Sequence, residues 1–271
     1  MAHRRARHPA QEARAVSAFL ATLVALLGVL APPGPPVAGA ADYQLGGAYA
    51  PAAGVQIVTR DRTEKPAEGV YSICYVNAFQ TQPGSYGWWK QRHPELLLRT
   101  SKGKVVRDPG WPDEILLDIR TPAKRAALAK VVGAWFTRCA ADGFQGTEPD
   151  NLDSWTRSRG LLRQSHAVAF ATLMVRDAHR AGLAIAQKNT PELSDKGIGF
   201  DFAVAEECEV YRECGAYTKA YGRRVIEIEY TDNGRSAFAR ACAARSGTHS
   251  ILLRDRDVVP RGAAGYVYRT C

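Results

Sequence analysis

Short β-like runs that end in polar or acidic side chains recur along this chain, and helical stretches separate many of them. The polar ends are Asn77, Asp150, Lys188-Asn189, Glu206 and Glu229. Strands that alternate with helices are joined by crossovers into a parallel sheet. An open doubly wound sheet gathers its site at one switch point, whereas here successive strands all contribute to one rim. The pattern therefore predicts a single closed (β/α)8 barrel of the TIM type.

The first forty residues are predicted to be a secretory signal peptide, and residues 41–271 the barrel domain. Four arginines precede an apolar run at 18–31, a proline-rich break follows, and small residues lead to a cleavage site near Ala40-Ala41. A membrane anchor is the alternative, but a span needs about 20 apolar residues. We therefore expect a secreted, extracellular protein without stable membrane insertion.

Loss of this leader lowers the formal net charge from +9 to +6, because it contains four arginines and one glutamate. The remaining positive charges are scattered and form no Lys/Arg block, so they indicate a solvated surface and no nucleic-acid partner. The roughly 230 residues that remain suit one barrel. The sequence does not determine an oligomeric state.

Individual segments follow the same pattern. Strands are predicted at 43–45, 55–59, 70–77, 114–120, 144–150, 183–187, 200–205, 224–228 and 250–253. One helix is expected to begin at Thr121-Pro122, a cap followed by a first-turn proline, and to end at Gly143. Another is expected at 165–181. The long irregular stretch at 79–112 is predicted to be a functional loop.

Six cysteines in an exported chain favour disulfides, although six cysteines allow fifteen pairings. Cys208 and Cys214 are close in sequence. Strand alternation turns Cys74 away from the barrel interior, towards the helix that carries Cys139 on its buried face. The remaining pair, Cys242 and Cys271, would tie the last helix to the C-terminus.

The stretch Gly143 to Asp153 concentrates acidic groups. Three carboxylates and an amide fall within six positions: Glu148, Asp150, Asn151 and Asp153. Acids at the carboxyl end of a parallel strand are typical of the chemistry of α/β barrels, and the alternative is a loop whose side chains cap backbone amides. The chain lacks a Gly-x-Ser-x-Gly elbow, a phosphate loop, a dinucleotide fingerprint and His-Glu-x-x-His, so no cofactor is expected.

Two carboxyl groups that face each other across a sugar-sized cleft make a glycosidase. Asp150 and Glu206 come from different strand ends, so a barrel could oppose them. A divalent-cation site at Glu148, Asp150 and Asp153 is a rival hypothesis, but a hard cation wants a fuller oxygen cage. Three tryptophans of the long loop could stack on sugar rings or pack in the loop: Trp88, Trp89 and Trp111.

An ordered set of motifs resembles glycoside hydrolase family 114, the endo-α-1,4-polygalactosaminidases, over about residues 43–255. The motifs of this set are, in chain order, Tyr43-Gln-Leu45, Ile73-Cys-Tyr75, Leu117-Asp-Ile-Arg120, Glu148-Pro-Asp-Asn-Leu-Asp153, Gln187-Lys-Asn189, Phe200-Asp-Phe-Ala-Val204, Glu206-Glu-Cys208, Glu213-Cys214 and Glu229-Tyr230. The resemblance implies a (β/α)8 barrel, no metal, and cleavage of α-1,4-linked galactosamine or N-acetylgalactosamine polymers.

The resemblance also implies catalytic roles by position: Asp150 as nucleophile and Glu206 as acid/base, in a retaining mechanism. Glu207 is the alternative acid/base, since one residue of register decides which side chain faces inward. Lys188 would either tune the general acid or pair with Asp150. The other residues expected to bind the polysaccharide are Tyr43, Asn77, Asn151, Asp153, Lys188, Asn189, Glu207, Glu229 and Tyr230.

Two further hypotheses remain open at this point. One is a barrel that binds polysaccharide without cleaving it, because a fold does not fix a function. The other is a glycosidase with a different linkage specificity, since the long loop at 79–112 is expected to shape the substrate groove.

Overall fold

The computed structural model of the protein describes residues 32–271. The apolar run predicted at 18–31 lies outside the described residues. Within residues 32–271 there are nine strands: β1 (Ala40–Gln44), β2 (Val55–Asp61), β3 (Tyr71–Asn77), β4 (Gly146–Asp150), β5 (Ala184–Lys188), β6 (Phe202–Glu206), β7 (Val225–Tyr230), β8 (Ser250–Arg254) and β9 (Tyr268–Thr270).

Strands β1 to β8 pair in sequence order and in parallel, and β9 pairs antiparallel with β8. The first and eighth strands also meet, because Arg254 of β8 donates a hydrogen bond to the carbonyl of Tyr43 in β1. The sheet thus curls into a nearly closed barrel, which confirms the predicted fold class. The C-terminal β9 was not predicted, since three half-exposed or exposed residues carry little strand signal.

The described α-helices are α1 (Tyr86–Arg92), α2 (Pro122–Asp142), α3 (Gln164–Arg180), α4 (Cys208–Tyr211), α5 (Cys214–Tyr221) and α6 (Ser236–Arg245), and short 3-10 turns lie at Pro94–Leu96, Ser154–Arg157, Pro191–Leu193 and Thr231–Asn233. Helix α2 begins as predicted: the Thr121 hydroxyl accepts a hydrogen bond from Lys124 N, 3.3 Å away. It ends at Gly143, whose φ of 102° is costly for a residue with a Cβ.

Two apolar layers hold the barrel, and strand alternation separates them. The interior is filled by inward-facing side chains such as Ile57, Ile73, Phe202, Ile226 and Leu252. The outer layer packs β3 to β5 against α2 and α3 through residues that include Val76, Leu128, Phe136, Phe170 and Met174. The polar strand ends are thereby gathered at one rim.

The prediction of a strand at 114–120 is wrong as a barrel strand. Ile115, Leu116 and Leu117 form isolated antiparallel bridges with other parts of the β3–α2 connection. A short apolar run does not reveal its partner, and here the long connection supplies its own buried layer, which includes Leu96, Leu98 and Val106.

All three expected disulfides are present: Cys74–Cys139, Cys208–Cys214 and Cys242–Cys271. The first joins β3 to α2, as the outward orientation of Cys74 predicted. The second closes a loop directly after β6, and the third joins α6 to the C-terminal residue.

Candidate active site

A cavity of about 790 Å³ opens at the carboxyl ends of the strands. Eight acidic residues line it: Asp61, Asp108, Glu114, Asp150, Asp153, Glu206, Glu207 and Asp257. The basic residues of its lining are Arg157, Lys188 and Arg256, and each forms an ion pair with an acid of the same lining. The cavity is therefore acidic although the chain as a whole is basic.

Lys188, at the end of β5, connects the carboxylates of this cavity. Its Nζ lies 3.7 Å from Asp150 Oδ1, 3.3 Å from Glu206 Oε2 and 2.9 Å from Glu148 Oε1. The Lys188 and Glu148 side chains are 1% or less exposed, whereas those of Asp150 and Glu206 are 21% and 20% exposed. Of the three carboxylates that contact Lys188, those of Asp150 and Glu206 thus face the cavity, and that of Glu148 lies buried beneath them.

Each cavity-facing carboxylate is held by two neutral groups. Asp150 accepts hydrogen bonds from the Tyr75 hydroxyl and from Asn151 N, both at 2.7 Å. Glu206 pairs with the Tyr230 hydroxyl and accepts a 2.9 Å hydrogen bond from Asn189 Nδ2. Both side chains are therefore fixed before any ligand arrives.

Charge and burial oppose each other at Lys188. Burial alone would lower the pKa of the ammonium, but the carboxylates of Asp150, Glu148 and Glu206 outweigh that effect and raise the pKa well above its ordinary value. Burial also raises the pKa of the Tyr75 and Tyr230 hydroxyls, and the adjacent carboxylates raise it further. The lysine therefore stays charged and the tyrosines stay neutral hydrogen-bond donors.

The backbone is unusual where the strands end. Asn151, Asn189, Thr190 and Glu207 all have positive φ values, at 65°, 49°, 62° and 58°. Each directly follows β4, β5 or β6, or comes one residue later. Such conformations cost about 1–3 kcal/mol each and concentrate at functional sites. They lie where the chain leaves β4, β5 and β6 at the rim.

The structure places most of the predicted substrate-binding residues at this rim. Tyr43, Asn151, Asp153, Lys188, Asn189, Glu207 and Tyr230 line the cavity. Asn77 lies just behind it, where its amide donates to Glu114 Oε2 at 2.8 Å and accepts from Asn151. Glu207 lines the cavity as well, but Arg256 binds both of its carboxylate oxygens.

Glu229 lies elsewhere. In β7, Ile226, Ile228 and Tyr230 face the interior, so Glu229 points outward, where its Oε1 accepts a 3.0 Å hydrogen bond from Glu209 N. It does not line the cavity. Strand alternation alone explains this placement.

Several residues of the cavity lining were not predicted from the sequence, and four of them are Glu114, Arg157, Tyr211 and Arg256. Glu114 comes from the long connection, and burial raises its pKa to about 7 against the opposing hydrogen bond from Asn77. Arg157 binds Asp153 and Asn151 at 2.7 and 2.6 Å. All four lie in connections between strands, and no periodic pattern assigns such residues to a rim.

The three tryptophans of the long connection have different surroundings. Trp89 is 1% exposed and belongs to the core. Trp88 makes edge and tilted contacts with Trp89, Trp135 and His93, outside the cavity. Trp111 alone of the three lines the cavity.

The carboxylates of the rival cation site are engaged by basic side chains. Lys188 contacts Glu148 and Asp150, whereas Arg157 binds Asp153. Among the described residues, the one group with metal-ligand geometry is Cys208, Cys214 and Glu227, and its two cysteines form a disulfide. The residues at the rim therefore fit chemistry carried by carboxylates.

Comparison with known proteins assigns the family. The family model of glycoside-hydrolase family GH114 matches residues 29–271, almost nine tenths of the chain. The chain belongs to this family. It is therefore a glycoside hydrolase.

Solved structures that share the fold of this GH114 chain include two glycoside hydrolases. Ega3 of Aspergillus fumigatus, solved in complex with galactosamine, is 20% identical with a TM-score of 0.67, covering 89% of this chain and 98% of its own. The glycoside hydrolase domain of PelA from Pseudomonas aeruginosa is 15% identical with a TM-score of 0.59, covering 85% and 99%. A comparison with curated protein sequences returned no match.

Within residues 32–271, none of the helices has the length and apolar character that crossing a membrane requires.

Proposed function

We propose that this chain is a secreted endo-glycosidase that cleaves α-1,4-linked galactosamine polymers with retention of configuration. Asp150 is the nucleophile and Glu206 the acid/base in this proposal. It rests on one observation above all: both carboxylates reach the cavity and both contact the same buried ammonium, Lys188 Nζ.

This shared contact limits the separation of the two carboxylates. The distances from Nζ to Asp150 Oδ1 and to Glu206 Oε2 are 3.7 and 3.3 Å, so these oxygens lie no farther apart than the sum of the two. Retaining glycosidases place their carboxyl groups about 5–5.5 Å apart, and inverting ones about 6.5–9.5 Å. The bound is compatible with the retaining geometry and supports the proposed mechanism.

The reaction then proceeds in two steps. Asp150 attacks the anomeric carbon while Glu206 gives its proton to the glycosidic oxygen, so a glycosyl ester forms and the leaving chain departs. Glu206, now ionised, takes a proton from water, and the resulting hydroxide attacks the same carbon and releases Asp150. Two inversions restore the original configuration.

The charge of the cavity supports an amino-sugar substrate. Eight acids against three paired bases make a site that favours a polymer bearing ammonium groups. The fold is shared with Ega3, which was solved with galactosamine bound. We infer that unacetylated residues bind better than acetylated ones, because acetylation removes the positive charge.

Secretion is supported by the predicted leader and by three disulfides, since disulfides persist in oxidising compartments. Every cysteine of the chain is used in these bonds. The oxidised form is therefore the one to assay.

The test is release of reducing ends from a galactosamine-rich polysaccharide by the oxidised, leader-free protein. We expect Asp150→Asn and Glu206→Gln to lose at least about a thousandfold in kcat while keeping their fold, because each removes one of the two reacting groups. Glu207→Gln is the matched control, one residue away in the same cavity. It should keep most of kcat, because Arg256 already holds Glu207.

Three outcomes would contradict parts of this proposal. Loss of chemistry only in Glu207→Gln would move the acid/base role by one residue. If NMR shows that the first-formed product has the inverted anomeric configuration, the covalent step is excluded. Cleavage of a differently linked polysaccharide in preference to α-1,4-galactosamine chains would overturn the substrate assignment.

A further inference from the structure

Two large aromatic side chains of the cavity lining are exposed to solvent. Trp111 is 57% and Tyr211 is 65% exposed. We propose that they are stacking platforms for two sugar rings of a polysaccharide, one on each side of the carboxylates Asp150 and Glu206. This inference deepens the proposed function, and its binding test does not require cleavage.

Exposure by itself is weak evidence, as Trp88 shows. That side chain is 42% exposed, yet it rests on Trp89, Trp135 and His93 and lies outside the cavity. Trp111 and Tyr211 differ from it in two respects. Both line the cavity, and both stand on backbone that is held rigidly.

The backbone around Trp111 is fixed from below. Asp108, which is 3% exposed, accepts hydrogen bonds from Gly110 N and Trp111 N at 2.8 and 3.2 Å. Arg157 and the amide of Gln80 bind the other oxygen of Asp108. The carbonyl of Trp111 accepts a hydrogen bond from Glu114 N at 2.9 Å. The indole is therefore presented on a loop anchored at both sides.

Tyr211 ends the short helix α4, which is also anchored. The Cys208–Cys214 disulfide closes the segment, and Tyr211 N donates to the carbonyl of Glu207 at 3.0 Å. Glu209 of α4 binds Arg245 at 2.6 Å and Arg240 at 3.0 Å.

The outward acids of β7 complete this anchor. Glu229 accepts a hydrogen bond from Glu209 N, and Glu227 binds Arg245 at 2.7 Å and pairs with His249. The buried charges behind β7 thus have a role that the reaction itself does not require. They hold the segment that carries Tyr211.

The barrel order places the two platforms apart. Trp111 belongs to the β3–α2 connection and Tyr211 follows β6, so β4 and β5 lie between them. Asp150 ends β4 and Lys188 ends β5. Glu206 ends β6, the strand that leads to Tyr211, so a chain that follows this arc of the rim from Trp111 to Tyr211 passes both Asp150 and Glu206.

Sugar rings suit this arrangement. One face of a pyranose presents mainly C–H groups, which pack on an aromatic ring, while its hydroxyl and amino groups remain free for the acids of the cavity. Two fixed platforms would orient the chain and reduce the entropy lost on binding. The expected ligand is a polymer or long oligomer and not a single sugar.

Affinity electrophoresis in native gels that contain galactosamine-rich polysaccharide tests the binding directly. An Asp150→Asn background prevents cleavage during the run. We expect Trp111→Ala and Tyr211→Ala each to reduce retardation at least fivefold, with most of it regained in Trp111→Phe and Tyr211→Phe. Trp88→Ala is the matched control and should migrate like the background protein. Unchanged thermal unfolding is expected for the two exposed sites.

Hydrolysis kinetics of the same variants in the protein that keeps Asp150 (the Asp150 form) complete the test. Trp111→Ala and Tyr211→Ala should raise KM for the long polymer at least fivefold and leave kcat within twofold. If Trp111→Ala and Tyr211→Ala are retarded as much as Trp88→Ala, the proposal of stacking platforms is overturned. It is also overturned if no polymer tested retards the background protein. Retardation that depends on both rings, without cleavage by the Asp150 form, would instead overturn the proposed hydrolysis and retain the platforms.

Discussion

Lys188 Nζ lies 2.9 Å from Glu148 Oε1, and neither side chain is more than 1% exposed. The Tyr43 hydroxyl donates to the same oxygen at 2.6 Å. Burial raises the pKa of Glu148, although Lys188 and Tyr43 act in the opposite direction. Two donors on one oxygen fit an ionised carboxylate. Glu148 therefore acts from beneath the site, as the anion that holds the lysine between Asp150 and Glu206.

Glu148→Gln should destabilise the protein by about 3 kcal/mol, because removal of one partner leaves a buried charge less well compensated. The amide oxygen still accepts from Tyr43, so the loss reports charge and not shape. Denaturant unfolding at pH 7 measures it, with the exposed Glu68→Gln as control. A change within about 0.5 kcal/mol would show that Asp150 and Glu206 alone satisfy Lys188.

Glu229 makes stability depend on pH. Burial raises its pKa to about 7, against the opposing hydrogen bond from Glu209 N and with a further increase from Glu227. In the unfolded chain the pKa of a glutamate is about 4.3. Between these values the folded state keeps a proton that the unfolded state has lost, so stability falls as pH rises from about 4.3 to about 7 and is level above that range.

The variant Glu229→Gln removes this titration while keeping an acceptor for Glu209 N. Near pH 4.5 it should match the parent, and at pH 8 it should be more stable by about 2 kcal/mol, a value reduced from the full shift to allow for solvent screening. Urea unfolding at several pH values measures the difference. Parallel stability curves for the two proteins would contradict the assignment.

The position of Glu229 also shows where sequence reasoning reached its limit. The polar strand ends predicted the rim correctly for Asp150, Lys188 and Glu206, because period-two alternation and the barrel edge together determine where these side chains point. Glu229 is also a polar residue near the end of a strand. In β7, however, Tyr230 is the last inward-facing residue, so alternation turns Glu229 outward. Its partner, Glu209 N, lies twenty positions earlier.

Connections were the other limit. Pro122 and Gly143 mark the ends of α2 locally, so that helix was predictable. Glu114 reaches the cavity only because the long β3–α2 connection returns to it, and Arg256, two residues after β8, pairs there with Glu207 of a distant strand end. Such long-range placement depends on how the loop layer packs, and no local propensity encodes it.

Glu114 should make substrate binding depend on pH. Its pKa of about 7 means that it is mostly neutral at pH 5.5 and mostly charged at pH 8. We expect the KM of Glu114→Gln to equal that of the parent at pH 5.5. At pH 8 it should be about fivefold higher for a cationic polymer, which corresponds to about 1 kcal/mol for one ion pair.

Steady-state kinetics of both proteins on the same polymer at each pH tests this through the ratio of their KM values. A ratio that is constant from pH 5.5 to pH 8 would mean that Glu114 does not contact the charged groups of the chain.

The predicted leader has a structural consequence. A cut after Ala40 removes the first residue of β1, which pairs with Val55, and the carbonyl of Pro33, which accepts a hydrogen bond from the Tyr71 hydroxyl at 2.8 Å. Tyr71 keeps a second acceptor, the carbonyl of Gln145 at 3.3 Å. We expect mass spectrometry of the exported protein to give Ala41 as its first residue. A first residue at or before Pro33 would place the cleavage site earlier.

The three disulfides should differ in what they stabilise. They close loops of 65, 29 and 6 residues for Cys74–Cys139, Cys242–Cys271 and Cys208–Cys214. In the chain-entropy description, paired serine substitutions should then cost about 4, about 3.5 and about 2 kcal/mol in that order.

Activity of the disulfide variants should follow a different order. Loss of Cys208–Cys214 frees the segment that carries Tyr211, so KM for long polymer should rise, whereas loss of Cys242–Cys271 should leave KM unchanged. Equal KM values in these two variants would show that the smallest loop keeps its shape without its bond.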